Sequence, residues 1–261
     1  MKLNVQFGGV TKTPANSGGY GRVNRSGTRR RVGYWSVKPA MEGLAERLAA
    51  VRARIARAAD RARRDPAQIL LLAVTKIFPA EAIQEGFALG LREFGENYVQ
   101  EFEGKAPSVG GLTGARFHLI GHLQSNKAAK AAELFQVVQT VDSAKLARRL
   151  NDTGRTLDVM LEVKLSEEEA KSGADPGGVP ALIESVRACP NLRLRGLMTM
   201  PPWSEDPEAP RGYFRRLREL AEANGLTELS MGMSNDLETA IEEGSTCVRV
   251  GTALFGKRRK V

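Results

Sequence analysis

Eight short apolar runs alternate with helical segments along the sequence, and this alternation restricts the possible folds more than any other feature. The first run, Ile69 to Val74, is followed by Thr75, Lys76 and a helical segment that begins after Pro79. Continuous apolar runs of this length are typical of strands buried on both faces of a parallel sheet. Eight alternating units in about this length predict a single closed (β/α)8 barrel, or TIM barrel, of the α/β class.

The apolar pattern also gives the approximate positions of the elements. Strands are predicted at residues 69–75, 92–94, 116–120, 136–140, 157–163, 193–198, 228–230 and 246–250. Helices are predicted at about 79–89, 97–106, 125–134, 143–152, 176–188, 207–224 and 235–243, with a short one after 252. An open doubly wound sheet is the alternative architecture. The first run lacks a following Gly-x-Gly-x-x-Gly motif, which disfavours a dinucleotide-binding fold.

One further helix is predicted before the barrel. Its apolar residues recur at helical spacing, and Glu and Arg residues occupy its other faces. The pattern ends before Asp65-Pro66, and we expect this helix to pack on the barrel as a lid or brace. The apolar positions are Leu44, Leu48, Val51, Ile55 and Ala58.

The basic residues are concentrated in the two termini. Residues 1–40 contain eight Lys or Arg residues and no Asp or Glu, in a chain whose net charge is +9. We expect a disordered basic extension at 1–40, the barrel at 41–256 and a basic tail at 257–261. The extension fits a nucleic-acid-binding arm, a transit peptide or a segment outside the working protein. The third interpretation is favoured because Met41 opens a well-formed helix and would serve as a translation start.

Cysteine, histidine and hydropathy patterns exclude several classes of protein. Cys189 and Cys247 lie far apart, which argues against a disulfide framework and fits a reducing, cytoplasmic location with both thiols buried. The only histidines, His118 and His122, have no further metal ligands placed beside them, so a role in the core or lining a site is favoured. The apolar runs are far shorter than the roughly 18 residues of a membrane span.

Lys76 is the first candidate for chemistry. It follows the first strand directly, and the carboxyl ends of barrel strands are where active sites form. Partial burial would disfavour its charged form, and a neutral amine attacks aldehydes to form a Schiff base. Alternatively, the side chain simply reaches past the strand end to water.

The last two units predict a phosphate-binding site. Ser230 to Ser234 lead from strand seven into a helix, and Gly251-Thr252 lead from strand eight into a short helix. Small and hydroxyl-bearing residues at such turns offer backbone N–H groups to phosphate, although each hydroxyl could instead be a helix cap. Arg249 ends strand eight and points inward or outward according to the strand alternation.

These candidates together predict a ligand type. A reactive lysine, a phosphate-binding turn and an arginine suit a phosphorylated aromatic aldehyde, and pyridoxal 5′-phosphate is such a compound. Asn97 follows the second strand, where it would either cap a helix or offer its amide to a bound ring. An arginine facing the ring nitrogen would keep that nitrogen unprotonated and weaken the ring as an electron sink.

Seven motifs strongly resemble those of the pyridoxal phosphate homeostasis protein family, in one order across residues 42–256. They are Ala-Val-Thr-Lys at 73–76, Phe-Gly-Glu-Asn-Tyr-Val-Gln-Glu at 94–101, His-Leu-Ile-Gly-His-Leu-Gln-Ser-Asn-Lys at 118–127, Lys-Ser-Gly at 171–173, Gly-Leu-Met-Thr-Met at 196–200, Ser-Met-Gly-Met-Ser-Asn-Asp at 230–236 and Gly-Ser-Thr-Cys-Val-Arg-Val-Gly-Thr-Ala-Leu-Phe-Gly at 244–256. The departures are small, with Thr75 where a serine is commoner and Ile77-Phe78 before the proline.

The resemblance implies a barrel like the amino-terminal domain of alanine racemase and a set of cofactor-binding residues. Lys76 would form the Schiff base and Arg249 would lie near the ring nitrogen. Asn97 and Met233 would lie nearby, and the phosphate would be surrounded by Ser230, Ser234, Gly251 and Thr252.

The resemblance also implies a function. Family members store or deliver the cofactor without established catalysis, with apo forms of pyridoxal phosphate enzymes as candidate recipients. A weak amino-acid racemase is the alternative, but racemization needs a second acid–base group that alanine racemase takes from another domain. We further expect a monomer that binds neither nucleic acid nor membrane.

Overall fold

The structure is a computed structural model that describes residues 43–166 and 172–256. The predicted basic extension at 1–40, the tail at 257–261 and Lys171 of the Lys-Ser-Gly motif lie outside these residues. In the described part, no helix is both long and apolar enough to cross a membrane.

Eight parallel strands close into a barrel in sequence order, as the alternation predicts. Each strand pairs with its neighbours in the chain, and β1 pairs with β8 to complete the ring. The strands are β1 Leu70–Val74, β2 Glu93–Glu96, β3 Arg116–Leu119, β4 Val137–Val141, β5 Leu157–Glu162, β6 Leu192–Met198, β7 Glu228–Met233 and β8 Cys247–Val250.

Helices connect the strands and form the outer layer of the barrel. All eight follow a strand in the order that the sequence predicts, and the last of them, α9, is the short helix expected near residue 252. They are α2 Ala80–Ala88, α3 Val99–Val109, α4 Ala128–Leu134, α5 Ala144–Asn151, α6 Val179–Arg187, α7 Arg211–Ala223, α8 Leu237–Glu242 and α9 Thr252–Phe255. The predicted (β/α)8 barrel is therefore confirmed.

Helix α1, Leu44–Arg61, packs outside the barrel as the predicted brace. All five predicted apolar positions are buried, and they face α8 and α9. Arg54 donates two hydrogen bonds of 2.6 and 2.7 Å to the carboxylate of Glu238 on α8. Arg64, just beyond α1, donates to the carbonyl oxygens of Ile241 and Ser245. The apolar stripe and these polar contacts together join α1 to the last two units.

The core has two layers of different character. The larger layer fills the space between strands and helices, where Phe102 packs against Phe117 and Phe135. The smaller lies inside the barrel and includes Leu72 and Cys247. Both cysteines are buried and free, as expected. Burial raises the pKa of the Cys247 thiol to about 11, so this thiol stays protonated and unreactive at neutral pH.

Candidate functional site at the carboxyl ends of the strands

Lys76 lies at the carboxyl end of β1, half-buried, where the sequence places it. The residue before it, Thr75, is fully buried and donates a 2.8 Å hydrogen bond to Oε1 of Glu96. The carbonyl oxygen of Thr75 accepts a 3.0 Å bond from Nζ of Lys105. The hydroxyl and the carbonyl oxygen of Thr75 are therefore both fixed by a buried acid–base pair on the next unit, β2 and α3.

The residue after Lys76 is fixed by the same cluster. Ile77 has a φ of 70°, a left-handed conformation that is unfavourable for a β-branched side chain by roughly 1–3 kcal/mol. Its N–H donates to Glu101 at 2.5 Å, and Glu101 pairs with Lys105 at 2.6 Å. The Lys105 cluster, which consists of Thr75, Glu96, Glu101 and Lys105, therefore holds the backbone on both sides of Lys76.

Asn97 follows β2 and directs an unsatisfied group into the same end of the barrel. Its Oδ1 is buried and has no hydrogen-bond partner. Gly121, which follows β3, touches the Asn97 backbone so closely that an added Cβ would lie 2.2 Å from the Asn97 carbonyl oxygen. Glycine is required at 121 because any side chain there would displace Asn97.

The turn after β7 is joined to the start of α9. Gly232 has a φ of 91°, which lets the chain bend at the end of β7, and the Met233 N–H then donates to Oδ1 of Asp236 at 2.5 Å. The hydroxyl of Ser234 accepts a 3.2 Å bond from the N–H of Ala253 in the first turn of α9. Ser234 therefore holds the two predicted phosphate-binding turns together.

The same two turns lie next to β1. A Cβ added to Gly251 would lie 3.4 Å from the carbonyl oxygen of Val74, two residues before Lys76. Thr252, which opens α9, is exposed. The structure thus brings the ends of β1, β7 and β8 together, and with them Lys76, Ser234, Gly251 and Thr252.

Arg249 points into the barrel and is 3% exposed, which resolves the direction that the sequence left open. Its Nη1 donates to the carbonyl and hydroxyl oxygens of Ser230, both at 2.7 Å, and its Nη2 donates to the Thr199 carbonyl oxygen at 2.8 Å. All three acceptors are neutral. Among the described residues this guanidinium forms no ion pair, although the charges of Asp236 and Glu162 act on it from further away. Burial lowers the pKa of Arg249.

The hydroxyl of Ser230, one of the predicted phosphate-binding residues, forms hydrogen bonds inside the barrel. The residue is fully buried, and its Oγ accepts from Arg249 and donates to Oε1 of Gln139 at 2.7 Å. Ser230 therefore anchors Arg249 and presents no exposed hydroxyl to a phosphate.

Glu162 ends β5 and is not among the site residues predicted from the sequence. Its Oε2 is buried and has no hydrogen-bond partner. Burial, helped by the nearby charge of Asp142, raises the pKa of Glu162 to about 7, although Arg249 acts in the opposite direction. The carboxyl lines a cavity of about 310 Å³ together with His122, Met200, Trp203 and Met233. An acidic residue closing an apolar run, Val159 to Glu162, was the sequence signal for it.

The unsatisfied polar groups of the described part all lie at one end of the barrel. The three buried side-chain oxygens that lack a partner are Glu96 Oε2, Asn97 Oδ1 and Glu162 Oε2, and each belongs to the last residue of a strand or the residue after it. A buried polar atom without a partner is unfavourable by roughly 1–3 kcal/mol, so such atoms are expected where a ligand completes the hydrogen bonding.

The two histidines lie in different environments. His118 is buried and contacts Glu93 and Gln139, whereas His122 is exposed and lies 3.7 Å from Asp142. Within residues 43–166 and 172–256, no group of three or more His, Cys, Asp or Glu side chains could hold a metal ion.

Comparison with known proteins places this geometry in a family. The model of the alanine racemase N-terminal domain family matches residues 47–259. A Pseudomonas aeruginosa protein named pyridoxal phosphate homeostasis protein is 51% identical over 224 residues, which cover 84% of this chain and 97% of the relative. The chain belongs to the pyridoxal phosphate homeostasis protein family. An Escherichia coli protein of the same name is 43% identical over 236 residues, covering 84% of this chain and 98% of that relative.

Solved structures agree with this assignment. The structure of PipY from Synechococcus elongatus with PLP bound is 39% identical, has a TM-score of 0.73, and covers 82% of this chain and 100% of its own. Alanine racemase from Corynebacterium glutamicum, at 18% identity and a TM-score of 0.60, covers 84% of this chain and 61% of its own. At that identity the likeness shows the fold alone.

Proposed function

We propose that this protein binds pyridoxal 5′-phosphate and takes part in its intracellular homeostasis by storing and delivering it. The single observation that carries the proposal is the concentration of unsatisfied groups at one end of the barrel. Three buried acceptors lack partners there, and the Arg249 guanidinium is held by neutral oxygens only. The names of the P. aeruginosa and E. coli relatives, and the PLP bound to PipY, support this choice of ligand.

Each predicted residue has a proposed role toward the cofactor. Lys76 would hold it covalently as a Schiff base, and the turns bearing Ser234, Gly251 and Thr252 would surround its phosphate. Arg249 would face the ring nitrogen, with Ser230 holding the guanidinium in place. Asn97 and Met233 would lie beside the ring. When bound, pyridoxal phosphate supplies an electrophilic aldehyde carbon and a ring that accepts electrons.

A carrier role is favoured over catalysis by the charge around the ring. A fixed guanidinium opposes protonation of a nearby ring nitrogen, and an unprotonated ring is a weak electron sink. The alternative, a weak racemase-like enzyme, would depend on a nearby acid–base group, and Glu162 is the described candidate because of its pKa of about 7. We expect no exchange of the α-hydrogen of amino acids in deuterated water with wild-type protein. Exchange that disappears in Glu162→Gln would favour the enzyme instead.

The rim of the site suits docking of a recipient protein. The exposed large apolar residues of the described part all follow the carboxyl ends of strands: Ile77 after β1, Tyr98 after β2, and Met200 and Trp203 after β6. Exposed apolar groups clustered around a site are typical of protein-binding surfaces. Apo forms of pyridoxal phosphate enzymes are the recipients we propose. A monomeric state, a cytoplasmic location and the lack of a nucleic-acid partner belong to the same proposal.

A transfer experiment tests delivery. Loaded protein is mixed with an apo pyridoxal phosphate enzyme, and recovery of that enzyme's activity is compared with recovery on an equal amount of free cofactor plus a cofactor trap. Delivery predicts recovery of activity that resists the trap and that decreases several-fold in Trp203→Ser. The control variant Arg187→Ser, at an exposed position on α6, should recover activity as wild type does. Recovery that the trap abolishes equally for all variants would contradict direct delivery.

A further inference from the structure

A chain of hydrogen bonds runs through the barrel interior from Arg249 to the opposite end of the strands. Ser230 Oγ donates to Gln139 Oε1 at 2.7 Å, and this bond crosses the barrel from β7 to β4. Gln139 Nε2 lies 2.9 Å from His118 Nδ1 on β3. His118 Nε2 lies 2.6 Å from Oε2 of Glu93, at the start of β2. We call Arg249, Ser230, Gln139, His118 and Glu93 the interior chain.

The donors of the interior chain all point in one direction. A guanidinium only donates, so Ser230 Oγ accepts from Arg249 and must give its single proton to Gln139. The amide oxygen of Gln139 is thereby occupied, and its Nε2 donates to His118 Nδ1. His118 then carries its proton on Nε2 and donates it to the Glu93 carboxylate. One arrangement of protons satisfies every link.

The acid at the end of the interior chain does not touch Arg249, and the carboxylates whose charges act on Arg249, Asp236 and Glu162, do not form an ion pair with it. The carboxylate at the end of the interior chain, Glu93, is three hydrogen-bonded groups away from the guanidinium and is partly exposed, whereas Gln139 is 1% exposed. Glu93 also lies 3.7 Å from Arg116, which lines a cavity of about 670 Å³ together with His118 and Gln139. The guanidinium is therefore fixed in position without being neutralised by direct contact with an acid.

We propose that Gln139 and His118 are positioning residues that hold Arg249, through Ser230, as a positive charge that is fixed in position without a direct ion pair and faces the cofactor ring. The proposal rests on the function proposed above and adds the residues that set the electrostatics of that site. Gln139 is the central link because its two ends have opposite polarity. No apolar residue or carboxylate can accept from Ser230 and donate to His118 as the amide does.

The test uses full-length protein and two substitutions at this position. Gln139→Leu removes both hydrogen bonds at similar volume, and Gln139→Glu places a carboxylate one link from Arg249. Gln136→Leu is the matched control, because Gln136 is exposed at the start of β4 and its side chain only accepts from the Phe117 N–H. The variants are loaded with pyridoxal phosphate carrying ¹⁵N in the ring. The ¹⁵N chemical shift and the rate of cofactor release are then measured well below the melting temperature.

The expected results separate positioning from a merely structural role. Gln139→Leu should release the cofactor about tenfold faster than wild type, and Gln139→Glu should shift the ring ¹⁵N resonance toward the protonated form. Gln136→Leu should match wild type in both. If both Gln139 variants melt earlier yet keep the wild-type ¹⁵N shift and a release rate within twofold, the proposal is wrong.

A second readout keeps this inference separate from the cofactor proposal. If wild-type protein binds no pyridoxal phosphate, the proposed function fails. The interior chain is then tested on the side-chain ¹⁵Nε resonance of Arg249, assigned by its loss in Arg249→Lys. Positioning through Ser230 predicts that Gln139→Leu moves or broadens this resonance and Gln136→Leu does not. An unchanged Arg249 resonance in Gln139→Leu would overturn the positioning role.

Discussion

Replacing Lys105 by methionine should reduce both the stability of the barrel and the fixation of Lys76. Nζ of Lys105 pairs with Glu96 at 2.9 Å, and the Glu96 side chain is fully buried. Removing one partner of a buried ion pair lowers the free energy of unfolding by roughly 3–5 kcal/mol, because the other charge stays buried and unpaired. The pair with Glu101 adds less, since that carboxylate is partly exposed.

The measurements are reversible chemical and thermal denaturation of wild type, Lys105→Met and the double variant Lys105→Met/Glu96→Gln. For a domain of this size the single change should lower Tm by about 10 °C. The double variant should recover part of the loss, because the neutral amide no longer leaves a charge without a partner. Lys130→Met is the control, since the ion pairs of Lys130 with Glu103 and Glu133 are exposed and should contribute little.

The outcome at Lys105 also bears on the site. Loss of the Nζ donor frees the Thr75 carbonyl and the Glu101 carboxylate that hold the backbone beside Lys76. A Lys105→Met protein with a free energy of unfolding within about 1 kcal/mol of wild type would refute the reasoning. So would a double variant that is less stable than the single one.

Three further predictions concern other parts of the molecule. The free energy of unfolding of Glu162→Gln minus that of wild type should rise by roughly 3 kcal/mol between pH 4 and pH 8. Burial raises the pKa of Glu162 to about 7, so the stability that its protonated form contributes to the wild type is lost as the pH rises through 7. A difference in the free energy of unfolding that stays constant with pH would contradict this. Gly232→Ala should lower stability by roughly 2–4 kcal/mol, since φ is 91° and the new Cβ would lie 2.4 Å from the Ala240 Cβ, whereas Gly177→Ala has open space and should be nearly neutral in the same assay. Leu48→Ala should lower the free energy of unfolding by roughly 2–5 kcal/mol, because Leu48 lies on the buried face of α1 and is 3% exposed. A loss below about 1 kcal/mol would show that α1 does not brace the barrel.

The fold was predictable because each of its units repeats one local signal. Apolar runs such as Ile69 to Val74 must be buried on both faces, and their alternation with amphipathic segments leaves few architectures besides the closed barrel. The position of Lys76 followed from the same rule, since the residue after a barrel strand lies at the carboxyl end. Helix α1 was predictable from the spacing of its buried residues.

Contacts across the barrel were beyond the reach of local patterns. The direction of Arg249 depends on strand register, and the engagement of Ser230 with Gln139 joins residues 91 positions apart. The buried pairing of Lys105 with Glu96 likewise depends on how α3 packs on β2. Glu162, in contrast, could have been predicted as a site residue, because a carboxylate that closes an apolar run is visible in the sequence.

The most direct test of the central claim is to trap the cofactor on the protein. Purified protein is incubated with pyridoxal phosphate, reduced with borohydride and digested, and the modified peptide is identified by mass spectrometry, with Lys76→Ala as the control variant. We predict a yellow wild-type protein with one stable adduct on Lys76, and a folded, colourless Lys76→Ala protein. Colour and adduct retained in Lys76→Ala, or a wild-type protein left unmodified by excess pyridoxal phosphate, would contradict it.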